Sequence, residues 1–296
     1  MKKQRYFYLL VLFLTVGMPV STFSQEVDYW SAKRFKFSTA VSYEFSLLET
    51  SYFHQYSPPF LSGPYESNAE QTIYLNGEHS WGMSAAVAYF PLKKLGLQLQ
   101  LEFGRPRIGG TNTVYDVSLD YAIGDFAGSP PYPYVFEETY DWPNTEGYLT
   151  QVCLSLNALA RFPLSKTVAL YISGGPTYYR ISGEGVGVTY SKFWIKIKEE
   201  ELRFVGETYQ MKFKFGPINK LGLNIGAELN WVLFSNVSLA VDMRFYGCPK
   251  ESPPLEIQPN EMLSDSINEV RETMNLHEIK INPSFYRVHV GLKYLF

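Results

Sequence analysis

Eight ionisable side chains stand singly inside apolar stretches: Glu44, Glu102, Arg161, Glu228, Asp242, Arg244, Arg287 and His289. Each has an apolar residue on both sides, and the pairs Asp242/Arg244 and Arg287/His289 are two residues apart. That spacing puts them on one face of a β-strand. Acids and bases in such settings can move protons or pair. Buried charge is tolerated only when paired, so the mixed signs predict an internal ion-pair network. Metal chemistry is not indicated: His54, His79, His277 and His289 lack ligand spacing, and Cys153 and Cys248 are far apart. Gly183, Gly185 and Gly187 form a glycine-rich stretch without a Walker or Rossmann context, which reads as a turn or flexible strand end. A lipid-acting hydrolase would need a Ser–His pair facing lipid. His289 lies beside Arg287 on the charged face with no local serine partner. The chain is therefore expected to hold no cofactor and no metal, and to be no enzyme.

The elements that carry these residues alternate with period two. A first strand is predicted over Phe35–Leu47, a second over about Trp81–Phe90, and a third has Leu95, Leu97, Leu99, Leu101 and Phe103 against Gln98, Gln100 and Glu102. A fourth covers Tyr148–Phe162, a fifth about Thr167–Ile181 and a sixth about Lys220–Phe234. The seventh has Val237, Leu239, Val241, Met243 and Phe245 on one face, and the eighth alternates from Tyr286 to Phe296. Connections after the second, fourth and sixth strands are tight turns, whereas the other four are about 30–45 residues long, a length rare inside compact soluble domains. Short turns at one end and long loops at the other predict an eight-stranded antiparallel transmembrane β-barrel, apolar outside and charged within. The turns would be periplasmic and the loops extracellular. A soluble barrel with the opposite facing is the structural rival, and ten strands are the alternative count if Phe193–Phe215 crosses the membrane twice.

Composition agrees. The chain is 46% hydrophobic and 17% aromatic, with 23 Tyr and 21 Phe, as membrane-interface girdles require. A net charge of −3 without a basic block argues against nucleic acid as a partner. Lys2, Lys3 and Arg5 precede an apolar run from Tyr6 to about Val16, with Ser21, Thr22 and Ser24 following. That order predicts a signal peptide over 1–24, cut after Ser24, with the barrel over 25–296.

The long loops carry whatever is specific. The second, about Gly104–Gly147, holds Tyr115, Tyr132, Tyr134, Tyr140 and Trp142 among prolines and acids. Such surfaces bind proteins or glycans when exposed; the plainer expectation is that the loops pack on one another and cap the barrel. The third is charge-dense and predicts a hairpin above the membrane. Ser266–Glu269 in the fourth has a capping-box pattern and predicts a short helix. Whether Cys153 and Cys248 bond to each other is left open.

Two segments carry a family likeness: Asn157–Pro163 followed by Leu170–Tyr178, and Phe215–Gly216 followed by Leu221–Ala227. They resemble the middle of small outer-membrane barrels of the Bacteroidota, the PorT-like and OmpA/OmpX-like proteins. The final strand is similar to the signal read by the barrel-insertion machinery, with Tyr294 and Phe296 as its aromatic end. The resemblance covers roughly half the chain and implies an integral outer-membrane protein, in contact with outer-membrane lipid and with the insertion machinery. The expected role is a monomeric, non-enzymatic scaffold that anchors extracellular loops for adhesion, envelope integrity or partner docking. A narrow solute channel and a lipid-modifying enzyme are the alternatives.

Overall fold

In a computed structural model, the described residues are 33–56, 66–110, 113–123, 132–142, 145–198, 201–234, 236–258 and 274–296. The proposed signal peptide and the Ser266–Glu269 helix lie outside them. Eight strands form the barrel: β1 (Phe35–Ser46), β2 (Ser80–Tyr89), β3 (Leu95–Gly104), β4 (Glu146–Pro163), β5 (Val168–Lys198), β6 (Glu201–Phe234), β7 (Val237–Gly247) and β8 (Phe285–Leu295). Each pairs antiparallel with the next, and β8 pairs with β1, so the sheet closes and leaves no edge.

The faces divide by polarity. Trp81, Met83, Leu99, Leu221, Leu223, Ile225 and Val290 project outward, with Trp81 and Leu221 each 70% exposed. Water would not support so large a continuous apolar surface, whereas acyl chains do. Aromatics bound this belt: Phe35, Tyr89, Tyr294 and Phe296 at the turn end, Tyr43, Phe45, Trp81 and Tyr286 at the other. From Phe35 to Phe45, β1 climbs about 25 Å along the axis at a rise of ~3.3 Å per residue and a tilt near 40°, which matches the apolar band of such barrels.

The chain does not dissolve into loops above this belt. Most strands continue past a short break, often at proline, into segments beyond the belt: Glu49–Tyr56, Glu66–Gly77, Arg107–Gly109, Glu256–Ile257 and Met274–Asn282, beside the upper halves of β4, β5 and β6. Their pairings, with bridges Glu251–Ile281 and Pro254–Glu278, run around the same circle. The result is a second, upper tier of wall. Thr113–Ile123 and Tyr132–Trp142 form a further hairpin that joins Glu66–Glu70. β5 and β6 extend well beyond the strands expected at 167–181 and 220–234, and they pair antiparallel along their length, from Val168 opposite Trp231 to Lys198 opposite Glu201. The count is therefore eight rather than ten.

The polarity inverts between tiers without a change of phase. Along β3 and onward, Leu97, Leu99, Leu101 and Phe103 face outward, then Arg105 and Arg107; inward lie Gln98, Gln100 and Glu102, then Pro106 and Ile108. The upper tier encloses Leu48, Leu75, Leu149, Ile181, Met211, Phe213, Phe215, Ile279 and Ile281, all buried. Lipid outside demands a polar lumen; water outside demands an apolar core. In β6 one extra residue between Phe215 and Ile218 reverses the phase, because Gly183 opposes Phe215 while Ile181 opposes Ile218. Phe213 and Phe215 thus face in, although Leu221 and Leu223 at the same parity face lipid. The glycine stretch belongs to this core. A Cβ at Gly183 would sit 2.1 Å from the Phe215 ring, and one at Gly185 would sit 2.6 Å from the Phe213 ring.

Candidate functional site: the charged lumen

The charged face closes on itself. Glu44, Glu102, Arg161, Glu228, Asp242, Arg244, Arg287 and His289 are all buried, and the largest fully enclosed side chains include Arg161, Arg244 and Arg287. The upper cluster centres on Arg287. It donates to Glu44 on the neighbouring strand and to Glu102 Oε2 on β3 at 2.7 Å. Glu102 also accepts from Gln100 Nε2 at 2.6 Å and from Tyr246 Oη. Gly104 makes room: a Cβ there would lie 2.4 Å from Arg287 Nη2.

The middle cluster joins both signs across the lumen. His289 lies between Glu102 and Asp242, with its ring nitrogens 3.1 and 3.2 Å from their oxygens. Both carboxylates are within ion-pair reach of the ring when it is protonated. Arg244 donates to Asp242 at 3.2 Å, to Asn224 Oδ1 at 2.5 Å and to Ser173 Oγ at 2.7 Å. Asn224 hands the chain on to Asn157 Oδ1 and Thr177 Oγ1, each at 2.7 Å. Register places some like charges together, since Arg244 opposes Arg287 and Glu228 opposes Asp242. Such neighbours repel. Each side chain also has a partner of opposite sign: Asp242 stands two residues from Arg244 on β7, Glu44 opposes Arg287 in the β1–β8 ladder, and Glu102 reaches Arg287 across the lumen from β3.

The structure adds members that the sequence reading omitted. Lys293 pairs with Glu228, which also accepts from Asn230. Lys36 is buried with its Nζ 3.1 Å from the Tyr171 ring centroid and 4.9 Å from that of Phe90. Both lysines alternate with Phe35/Phe37 and Leu292/Tyr294, so the same alternation marks them. Arg161 is brought to the turn end, away from the carboxylate clusters. It donates to the Lys93 carbonyl at 2.8 and 3.1 Å and to that of Lys33 at 3.2 Å, and lies over Phe90 at 4.1 Å. Cys153 and Cys248 are both buried and free.

Among the described residues, apolar side chains cover both ends of the lumen. Phe90, Leu159, Ala169, Tyr171 and Leu295 pack as an apolar floor, and the upper-tier core forms the roof. Between them a void of about 20 Å³, lined by Ser38, Ser84, Gln98, Glu228, Asp242 and His289, has room for about one water. Chemically, this arrangement cross-links strands, and the described side chains fill the space between them. Among the described residues no cluster of His, Cys, Asp or Glu is arranged to hold a metal ion.

No family profile and no curated protein matches the chain. Among solved structures it is similar to the outer membrane protein OprG from Pseudomonas aeruginosa, at 10% identity and TM-score 0.42, over 89% of this chain and 96% of that one. It is also similar to the outer membrane protease OmpT from Escherichia coli, at 9% identity and TM-score 0.40, over 94% and 100% of the two chains. Neisserial surface protein A gives 10% identity and TM-score 0.32, over 87% and 97%. Likeness this distant carries no argument about activity, and the placement of this chain rests on its own lipid-facing belt and closed lumen. It is an integral outer-membrane β-barrel protein of eight strands.

Proposed function

We propose that the protein is a non-conducting, non-enzymatic anchor, a monomer whose barrel holds a rigid extracellular wall for docking a protein or glycan. The observation that carries this reading is the sealed lumen: an apolar floor, a paired polar middle and an apolar roof. A transport role would need a continuous polar path, and the ion pairs fill that path with arginine side chains. Catalysis on lipid is disfavoured by the enclosure of His289 between Glu102 and Asp242, away from the acyl-facing surface. A two-tier wall, with β5 and β6 reaching farthest, supports display at the cell surface. We infer further that residues 1–24 direct export, that Tyr294 and Phe296 engage the insertion machinery, and that the chain belongs with the small barrels of the Bacteroidota.

Planar-bilayer recording tests the central point. The refolded protein should give no discrete channel events in salt solution. Reproducible, solute-dependent openings would overturn the anchor reading in favour of a narrow channel. Mass spectrometry of lipid A from cells with and without the protein should show no difference; an altered acyl pattern would make it an enzyme.

A further inference from the structure

On the outer wall, just above the acyl belt, arginines from two strands flank a third. Arg105 and Arg107 leave β3 on the outward side, and Arg180 stands on the outward side of β5. Between them runs β4, which offers Tyr148. Arg105 lies over the Tyr148 ring at 4.8 Å and Arg107 at 5.6 Å, with Arg107 Nη2 donating to Tyr148 Oη at 3.2 Å. Arg105 also pairs with Glu184 at 3.1 Å. An exterior groove of about 670 Å³ continues from here across the wall, with Lys212 and Lys214 on its far side.

The depth of these groups is fixed by register. Arg180 pairs with Val152, which pairs with Phe103, so Arg180 stands two ladder steps from the last aromatic of the belt on β3, and strands tilted about 40° put it about 6 Å higher along the axis. Arg105 lies about 5 Å and Arg107 about 10 Å above Phe103 on its own strand. The headgroup layer occupies roughly 5–8 Å beyond the hydrocarbon. The arginines therefore span the headgroup layer of the outer leaflet, where a bound group must itself be part of a lipid.

The groove is not uniformly basic. Glu78, Glu146 and Glu184 line it too. Carboxylates repel a simple anion but accept hydrogen bonds from sugar hydroxyls, while arginine forks match phosphate oxygens. An exposed ion pair such as Arg105–Glu184 contributes little to stability, so fold maintenance does not account for the cluster. We propose that this face binds the phosphorylated sugar headgroup of an outer-leaflet glycolipid, with Arg105, Arg107 and Arg180 on phosphate and Tyr148 with its flanking carboxylates on the sugar. This site depends on the membrane placement alone and stands or falls separately from the docking role of the upper wall.

Native mass spectrometry of the full chain in detergent tests it, with diphosphorylated glucosamine-disaccharide lipid (lipid A) as the probe. The wild type should retain the lipid, and R105A/R107A should weaken retention about tenfold, as the loss of charge-assisted hydrogen bonds predicts. K250A/K280A, which removes cations lining a separate exterior groove, should retain it as the wild type does. Phosphate-free glycolipid and phosphatidylglycerol should both bind at least tenfold more weakly than the probe. Undiminished binding by R105A/R107A, equal loss in K250A/K280A, or equal binding of phosphatidylglycerol would overturn the proposal. Heat-shifted gel mobility confirms that each variant is folded. Should the alanine pair fail to fold, R105K/R107K decides instead: it keeps charge but loses the fork and the stacking. A several-fold loss supports the site, and wild-type retention refutes it.

Discussion

Replacing Arg287 by methionine tests whether the lumen is as dry as its packing implies. Arg287 is fully buried between two carboxylates that are themselves fully buried. Removing one partner of a buried ion pair generally costs about 3–5 kcal/mol, because the other charge is left without compensation. Here the loss is unequal. Glu102 keeps Gln100, Tyr246 and His289. Glu44 has Arg287 as its cation among the described residues, and its Oε1 has no hydrogen-bond partner there. Most of the cost should therefore fall on Glu44, and neutralising it should recover much of the loss. We expect R287M to lose about 4 kcal/mol and E44Q/R287M only about 1–2 kcal/mol, as expected for an apolar replacement with one imperfect hydrogen bond. E44Q leaves Arg287 paired with Glu102 and should cost about 1 kcal/mol or less, so the double-mutant cycle should give a coupling of about 2–4 kcal/mol. Urea unfolding from lipid vesicles, followed by tryptophan fluorescence at constant m-value, measures all four proteins. A loss below about 1 kcal/mol in R287M, or no recovery in the double variant, would mean that water reaches Glu44 and that the lumen is not sealed.

Three further outcomes follow from the geometry. L99R places a cation midway along the lipid-facing side of β3 and should cost about 2–4 kcal/mol of folding into vesicles; an unchanged midpoint would refute the lipid-facing assignment. G183V must displace the Phe215 ring, since even a Cβ would lie 2.1 Å from it. It should lose about 1–3 kcal/mol as overpacking does, with faster proteolysis of the upper tier while the heat-shifted gel mobility persists. Cys153 and Cys248 are buried free thiols, so a water-soluble maleimide should label neither until the barrel is boiled in detergent; rapid labelling of Cys153 in the folded protein would reveal an open lumen.

The strands of the membrane tier were legible because their period is short and their two environments differ so sharply. β3 and β7 alternate without a fault over ten or more residues, and no soluble partner is needed to explain the pattern. The upper tier was hidden by the same logic. Its strands are apolar inside and polar outside, so their alternation runs in the ordinary soluble sense, and breaks separate them from the belt below. Segments such as Glu49–Tyr56 and Glu66–Gly77 therefore read as loops, although their backbones pair as strands. Lys36 and Lys293 were visible as polar-face residues. That they belong to the network follows from the proximity of Tyr171 and Glu228, which come from other strands.

What the sequence determined by itself was which side chains share a face and where the tight turns fall, since both depend on residues adjacent along the chain. Who pairs with whom was decided by closure. Arg287 opposes Arg244 in one ladder and Glu44 in the other, the β8–β1 pairing that closes the barrel, and Glu102 reaches it from β3 only across the closed lumen. The direction of Phe213 and Phe215 was likewise set by a single extra residue in β6, measured against β5. Period-two alternation specifies faces but not their phase across a bulge, and phase is a property of two strands together.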